Sequence, residues 1–176
     1  MRQGGNGSGA SRPLYTSAER ARRDGSRWTL VQGLLAPVQF LVFIVSLALV
    51  IRYLATGAGE AAATASIVVK TLTLYTIMVT GAIWEKVVFG QYLFAPAFFW
   101  EDAVSMIVIA LHTAYLWALL TDALSVDQLM VLALVAYATY VVNAAQFVWK
   151  LRMARLDVAS RAPDSPFPLE SGVPAR

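Results

Sequence analysis

The chain has 176 residues, of which 58% are hydrophobic and 14% charged, with no cysteine and a formal net charge of +3. Soluble domains run nearer half apolar and a quarter charged, so this composition excludes an ordinary soluble globule and indicates one integral membrane unit. The lack of cysteine excludes a disulfide, a thiolate metal site and an iron–sulfur cluster, and positive charge gathered at the two ends suits anionic headgroups better than nucleic acid.

In chain order, residues 1–13 are rich in Gly, Ser and Asn and are expected to be disordered. The arginine-rich polar stretch ahead of the first apolar run does not fit a cleavable signal peptide. Pro13 to Arg27 predicts a basic amphipathic helix on the headgroups, with Leu14, Tyr15 and Ala18 toward lipid. Thr16 with Glu19 fits a capping box.

The first span is expected over residues 28–54, with Pro37 kinking or loosening it and Gln32, Gln39 and Ser46 on one face. Gly57, Gly59 and Glu60 predict a turn. The second span is expected over 61–84, ended by Glu85 and Lys86, with Ser66, Lys70, Thr73, Ile77, Thr80 and Trp84 along one stripe. Gly90 and Pro96 bracket an aromatic-rich interfacial loop. The third span, 97–120, carries Glu101, Ser105, Val108, His112 and Tyr115 on one face and Asp102 on the next. Asp122 and Asp127 flank a short acidic loop. The fourth span, 128–149, carries Thr139, Asn143, Gln146 and Lys150.

The predicted fold is therefore an all-α integral membrane protein, a four-transmembrane-helix bundle. Residues 1–27 form a disordered, then basic amphipathic N-terminus, 28–150 the transmembrane domain, and 151–176 a basic, then disordered tail. Arg2, Arg12, Arg20, Arg22, Arg23 and Arg27 precede the spans; Lys150, Arg152, Arg155, Arg161 and Arg176 follow them; Lys86 lies in the central loop. That bias predicts both termini cytoplasmic.

Ionisable residues at membrane depth are functional candidates by default. The competing structural reading is interhelical hydrogen bonding, which is preferred for Ser46, Thr73, Thr80 and Thr139. Glu85, Glu101 and Asp102 gather at one end of the bundle, with Gln32 and Gln146 at their level. Carboxylates that close disfavour one another's ionisation, so one of them is expected to keep a proton and serve as a general acid. The alternative is that Glu101 and Asp102 simply favour a helix N-terminus, or that Lys86 neutralises one of them.

Three readings of the lone His112 stay open: an axial ligand to a metal tetrapyrrole, a general base, or a hydrogen-bonded core residue. A single histidine argues against a bis-histidine haem and a zinc site of usual composition. Lys70 either shares a cavity with His112 or snorkels to the outer surface, depending on where its helix starts. No GxGxxG, Walker, HExxH or GxSxG motif occurs, so nucleotide, zinc-peptidase and serine-hydrolase readings have no support.

From about Arg12 to Arg155 the chain resembles the chlorophyllide/bacteriochlorophyllide 3-vinyl hydratases of purple photosynthetic bacteria. The resemblance is carried by RPLYTSAERARRDGSRWTLVQG, APVQF, SIVVKTLTLYTIMVTGAIWEKVVFG, LFAPAFFWEDAVSM, ALHTAYL and AYATYVVNAAQFVWKLR, with WEKxxFG, FFWED and LHTxY the most specific parts.

It implies a hydro-lyase of bacteriochlorophyll synthesis in the bacterial inner, photosynthetic membrane. Such an enzyme adds water across the ring-A vinyl of a Mg-tetrapyrrole to give a hydroxyethyl group, and it needs no cofactor because hydration is redox-neutral. Its partners would be pigment, water, membrane lipid and other enzymes of the pathway, with no nucleic acid. On that reading Glu101 or Asp102 is the acid, Glu85 tunes it or positions water, and His112 ligates the substrate Mg or deprotonates water. Lys70, Gln32, Gln39, Asn143, Gln146, Trp84, Trp100 and Phe99 form the binding surface, with no metal of the protein's own. Tyr92, Phe94 and Phe98 are expected to help gate or stack on the pigment, and Arg22, Arg23 or Arg27 to meet its propionate. Four short helices enclose little space for so large a ligand, which leaves room for a homo-oligomer or a groove open to lipid. A pigment carrier, a small proton-coupled transporter and a vinyl reductase are the competing functions.

Overall fold

A computed structural model describes residues 14–161; the disordered segment expected at 1–13 and most of the disordered tail expected after Arg155 lie outside the described residues, but the last helix runs on to Arg161, past the expected span end at 149 and through the start of that tail. Five helices follow in order: α1 (Ser17–Gly25), α2 (Arg27–Thr56), α3 (Glu60–Phe89), α4 (Phe99–Leu120) and α5 (Val126–Arg161). No strand occurs among the described residues.

The last four helices are each long and apolar enough to cross a membrane. Their outward faces carry exposed Leu30, Leu34, Leu41, Val79, Ile107 and Val142, as lipid-facing surfaces do. α2 packs mainly on α3 and α4 on α5, and the two hairpins meet along lighter α2–α5 and α3–α4 contacts. The inner half of the bundle is filled by Phe43, Val50, Ile67, Val108, Tyr115, Met130 and Tyr137.

Several boundaries differ from expectation, each for a local reason. α2 runs unbroken through Pro37 and stops where Gly57 takes the left-handed conformation at φ 69°. α3 begins at Glu60, so the weakly hydrophobic AAATAS stretch is helical. It also continues past Glu85 and Lys86 to Phe89. Glu85 turns inward there, and Lys86 closes the helix by donating from Nζ to the Gly90 carbonyl at 2.8 Å. At about 1.5 Å per residue, a 30-residue α3 is longer than the roughly 30 Å hydrocarbon core of a bilayer.

The Thr16–Glu19 capping box forms, with Glu19 Oε2 accepting from the Thr16 amide at 2.7 Å and Thr16 Oγ1 from the Glu19 amide at 3.3 Å. α1 does not turn Leu14 and Tyr15 to lipid. Tyr15 is buried against Phe89, with ring centroids 5.7 Å apart, and Leu14 packs on the same cluster, while Ala18 is exposed. Arg22 pins α1 to the end of α3, its Nε donating to the Val88 carbonyl at 2.8 Å.

Of the residues read as interhelical bonds, Ser46 meets Ser66 at 2.7 Å and Tyr137 at 2.6 Å. Thr80 accepts from Gln32 Nε2 at 2.8 Å. Thr73 and Thr139 bond only carbonyls of their own helices, because they lie off the seam.

Candidate active site

Between the hairpins lies a cavity of about 1270 Å³, roofed at one end by α1. The roof stays in place through an aromatic cluster in which Trp84 lies edge-on to Phe98 at 5.7 Å and Phe98 stacks on Phe147 at 5.9 Å. Burial pushes the Tyr15 phenol above its ordinary pKa, so this residue of the cavity wall stays neutral. Most of the wall is apolar. The polar exceptions come from all five helices.

Glu85 and Asp102 form the central feature. Both line the cavity, both are at most 5% exposed, and their carboxyl groups are in hydrogen-bonding contact. Each also holds the α3–α4 loop: Asp102 Oδ2 accepts from the Phe94 amide at 2.7 Å and Glu85 Oε2 from the Ala95 amide at 3.3 Å. Phe94 takes a left-handed φ of 58°, which a non-glycine residue keeps only when its surroundings enforce it. Two carboxyls in contact can hold one proton between them, which makes the pair an acid and its conjugate base at one point of the wall.

The remaining sequence-predicted residues divide into two groups. Gln32, Gln39, Trp84 and Asn143 line the cavity with the carboxyl pair. Gln32 is held by Thr80, and Trp84 donates from Nε1 to Thr29 Oγ1 at 3.0 Å. Asn143 donates from Nδ2 to Ser105 Oγ at 2.8 Å. Buried Gln39 Oε1 and Asn143 Oδ1 have no partner among the described residues.

The other residues lie off the wall. Glu101 accepts from Lys150 Nζ at 2.6 Å rather than joining the carboxyl pair. Gln146 is half-buried, and its Oε1 has no partner among the described residues. Phe99 and Trp100 point outward, Trp100 with 71% exposure, because they begin α4 on its outer face.

Lys70 and His112 are fully buried beneath the cavity floor. This removes the outer-surface reading of Lys70, whose Nζ sits 3.8 Å over the Tyr140 ring. The His112 Nδ1 lies 2.8 Å from the Val108 carbonyl, which can only accept, so Nδ1 carries a hydrogen, and the buried Nε2 has no partner among the described residues. The Tyr137 ring lies 5.9 Å away. His112 is thus buried and hydrogen-bonded in the core, and it is not among the residues that line the cavity. No cluster of metal-ligating side chains occurs among the described residues.

Sequence reasoning missed Arg20 and Arg155, which line the cavity beside Arg23. Arg23 was anticipated and also pairs with Asp24 at 2.7 Å, whereas Arg22 is committed to Val88. Tyr140 of the floor was missed as well. Helical spacing could have found Tyr140, one turn before Asn143. The arginines depend on how α1 docks, which no periodicity encodes.

Against known proteins, the family model described as 2-vinyl bacteriochlorophyllide hydratase matches residues 15–153. Two curated relatives carry that name. The one from Cereibacter sphaeroides is 74% identical over 147 residues, covering 84% of this chain and 91% of the relative. The one from Rhodobacter capsulatus is 71% identical over 147 residues, covering 84% of this chain and 85% of the relative. No solved structure gives a significant match.

Proposed function

The chain belongs to the 2-vinyl bacteriochlorophyllide hydratase family, a hydro-lyase of bacteriochlorophyll biosynthesis that adds water to a vinyl group, and we propose that it does so with the Glu85–Asp102 pair as its acid. One observation carries the assignment: these two touching carboxyls stand on the wall of a cavity of about 1270 Å³ that is otherwise largely apolar. Pockets for drug-sized ligands run to roughly 1000 Å³, so this volume suits a larger, flat, greasy substrate such as a tetrapyrrole macrocycle.

The chemistry needs two steps. The pair delivers its proton to the terminal vinyl carbon, breaking the π bond and leaving a cation on the adjacent carbon, stabilised by conjugation with the macrocycle. Water then forms the carbon–oxygen bond and returns its surplus proton to the carboxylate left behind. The net change is one added water, with no electrons gained or lost, so no redox cofactor is assigned. A desolvated wall strengthens the carboxylate's hold on the developing cation. Arg20, Arg23 and Arg155 at the rim suit the substrate's carboxylate. Glu101 and His112 stay outside the catalytic set, since neither lines the cavity.

We assign the protein to the bacterial inner membrane, spanning it four times with both termini cytoplasmic. The support is the concentration of Lys and Arg before the first span, in the central loop and after the fourth. On that orientation the cavity end roofed by α1 faces the cytoplasm. Its partners are the pigment, water and lipid, with neighbouring pathway enzymes as donors and acceptors of substrate.

The test is mass spectrometry of the purified protein turning over chlorophyllide a in oxygen-18 water. Gain of one labelled water by the wild type, and its loss in both Glu85→Gln and Asp102→Asn, is the expected result. Full turnover in both amide variants would refute the acid assignment.

A further inference from the structure

Two cavity-lining amides are each left with an unused carbonyl oxygen. Gln39 Oε1, on α2, and Asn143 Oδ1, on α5, have no partner among the described residues, although the residues are 3% and 8% exposed. A buried acceptor without a donor is costly, and in native proteins it is usually met by an ordered water or a ligand. The Asn143 amide is not free to turn this edge elsewhere, because its Nδ2 donates to Ser105 Oγ at 2.8 Å. Ser105 stands one turn along α4 from Asp102 and lines the same cavity.

The two oxygens also lie at one level. α2 and α5 touch through Phe43 and Tyr140, whose ring centroids are 4.9 Å apart. Gln39 is one turn from Phe43 and Asn143 one turn from Tyr140. Because the helices run antiparallel, both steps lead toward the carboxyl pair. Gln39 and Asn143 therefore stand at about the same level on the two helices, and both line the cavity.

We propose that Gln39 and Asn143 bind the water molecule that attacks the substrate. The inference rests on the hydratase reading above and goes further by naming what holds the nucleophile. Two carbonyl acceptors take both hydrogens of one water, which aims its oxygen lone pair away from them and into the cavity. A macrocycle filling the cavity closes it to solvent, so the nucleophile has to be resident before protonation. The π bond breaks as Glu85–Asp102 gives its proton to the terminal carbon. The held oxygen then bonds the adjacent carbon, and its surplus proton passes to the carboxylate. Since the water waits on one fixed side of the vinyl plane, Gln39 and Asn143 are positioning residues that set the handedness of the new hydroxyl carbon.

The experiment uses the full-length protein in nanodiscs with chlorophyllide a, reading kcat, KM and the ratio of the two hydroxyethyl epimers by chiral chromatography. Gln39→Met and Asn143→Leu are each expected to lower kcat roughly a hundredfold with KM changed less than about twofold. The double variant should be about as slow as either single one, because both remove the same water. The epimer ratio should drift toward equality, which a merely structural defect would not produce. A kcat within about twofold of wild type in both single variants overturns the proposal. If Asn143→Leu does not fold, Asn143→Gln decides: it displaces the carbonyl by one methylene, and an unchanged kcat and epimer ratio again overturn it. A wild type that adds no labelled water defeats the hydratase mechanism and this inference together. A normal wild type with indifferent variants defeats this inference alone.

Discussion

Lys150 Nζ and Glu101 Oε2 meet at 2.6 Å, with side-chain exposures of 25% and 9%, and tie the start of α4 to the far half of α5. The pair sits between the regimes of exposed ion pairs, worth about 1 kcal/mol or less, and buried ones, whose rupture costs about 3–5 kcal/mol. Glu101→Gln is expected to lose about 1–3 kcal/mol of stability while turnover per folded molecule stays near wild type. Thermal unfolding in detergent, read beside turnover normalised to folded protein, checks both halves. A large loss of turnover with unchanged melting would move Glu101 into the catalytic set.

On the proposed mechanism Asp102 would have two duties, proton donor and loop anchor, that substitutions can separate. Asparagine keeps an oxygen for the Phe94 amide, whereas alanine does not. Asp102→Asn should therefore keep the loop folded and lower kcat about 10²–10⁴-fold, the usual contribution of a positioned acid. Asp102→Ala should lose a further 1–3 kcal/mol of stability, on the order of an unmet buried amide. Single-turnover kinetics and melting curves on the two variants distinguish acid from anchor.

The arginine rim predicts selectivity for a free carboxylate. Arg20 and Arg155 form no ion pair within the described residues and both reach the cavity. Replacing either by alanine should weaken binding of acid pigment about tenfold, or roughly 1.4 kcal/mol, and leave binding of its methyl ester unchanged. Fluorescence quenching titrations with the two pigments read the difference. Equal losses for acid and ester would mean that the arginines only shape the opening.

Lys70 is fully buried and its Nζ has no hydrogen-bond acceptor among the described residues. Its contact with the Tyr140 ring offsets only part of the desolvation cost. Lys70→Met, similar in length and apolar, is expected to stabilise the bundle by about 1–3 kcal/mol. Chemical or thermal unfolding measures it directly. A destabilised variant would show that the ammonium group has a bound partner, such as an ordered water.

How much of this was readable beforehand depended on the kind of information each feature needs. Four apolar runs and the lysine and arginine bias require only composition, and the Thr16 capping box requires only a local spacing. The polar stripes were visible too, but a stripe says which face is special and not what it meets. Ser46 and Thr73 look alike in sequence, yet one bridges three helices and the other bonds its own backbone. Glu85 read as a helix stop, because a charge beside an apolar run normally marks the interface. Only the loop folding back, with the Ala95 amide on its carboxyl, draws it inside. Phe99, Trp100, Glu101 and Asp102 are consecutive, and their division into outward rings and inward carboxyls follows from where α4 begins. The place of α1 was beyond reach, since it depends on Tyr15 finding Phe89 across more than seventy residues of chain.

The seam between the hairpins has a thermodynamic consequence. Each hairpin packs well internally and the two share a core in one half of the bundle, yet toward α1 the space between them is hollow. A ligand that fills this space binds only when both hairpins are in place, so mass action links its concentration to the survival of the fold. At a hundred times its dissociation constant, the linkage amounts to about 2.7 kcal/mol. Pigment supply would thus govern how long each copy of the protein lasts as well as how fast it works, and membranes starved of tetrapyrrole would be expected to clear the protein sooner.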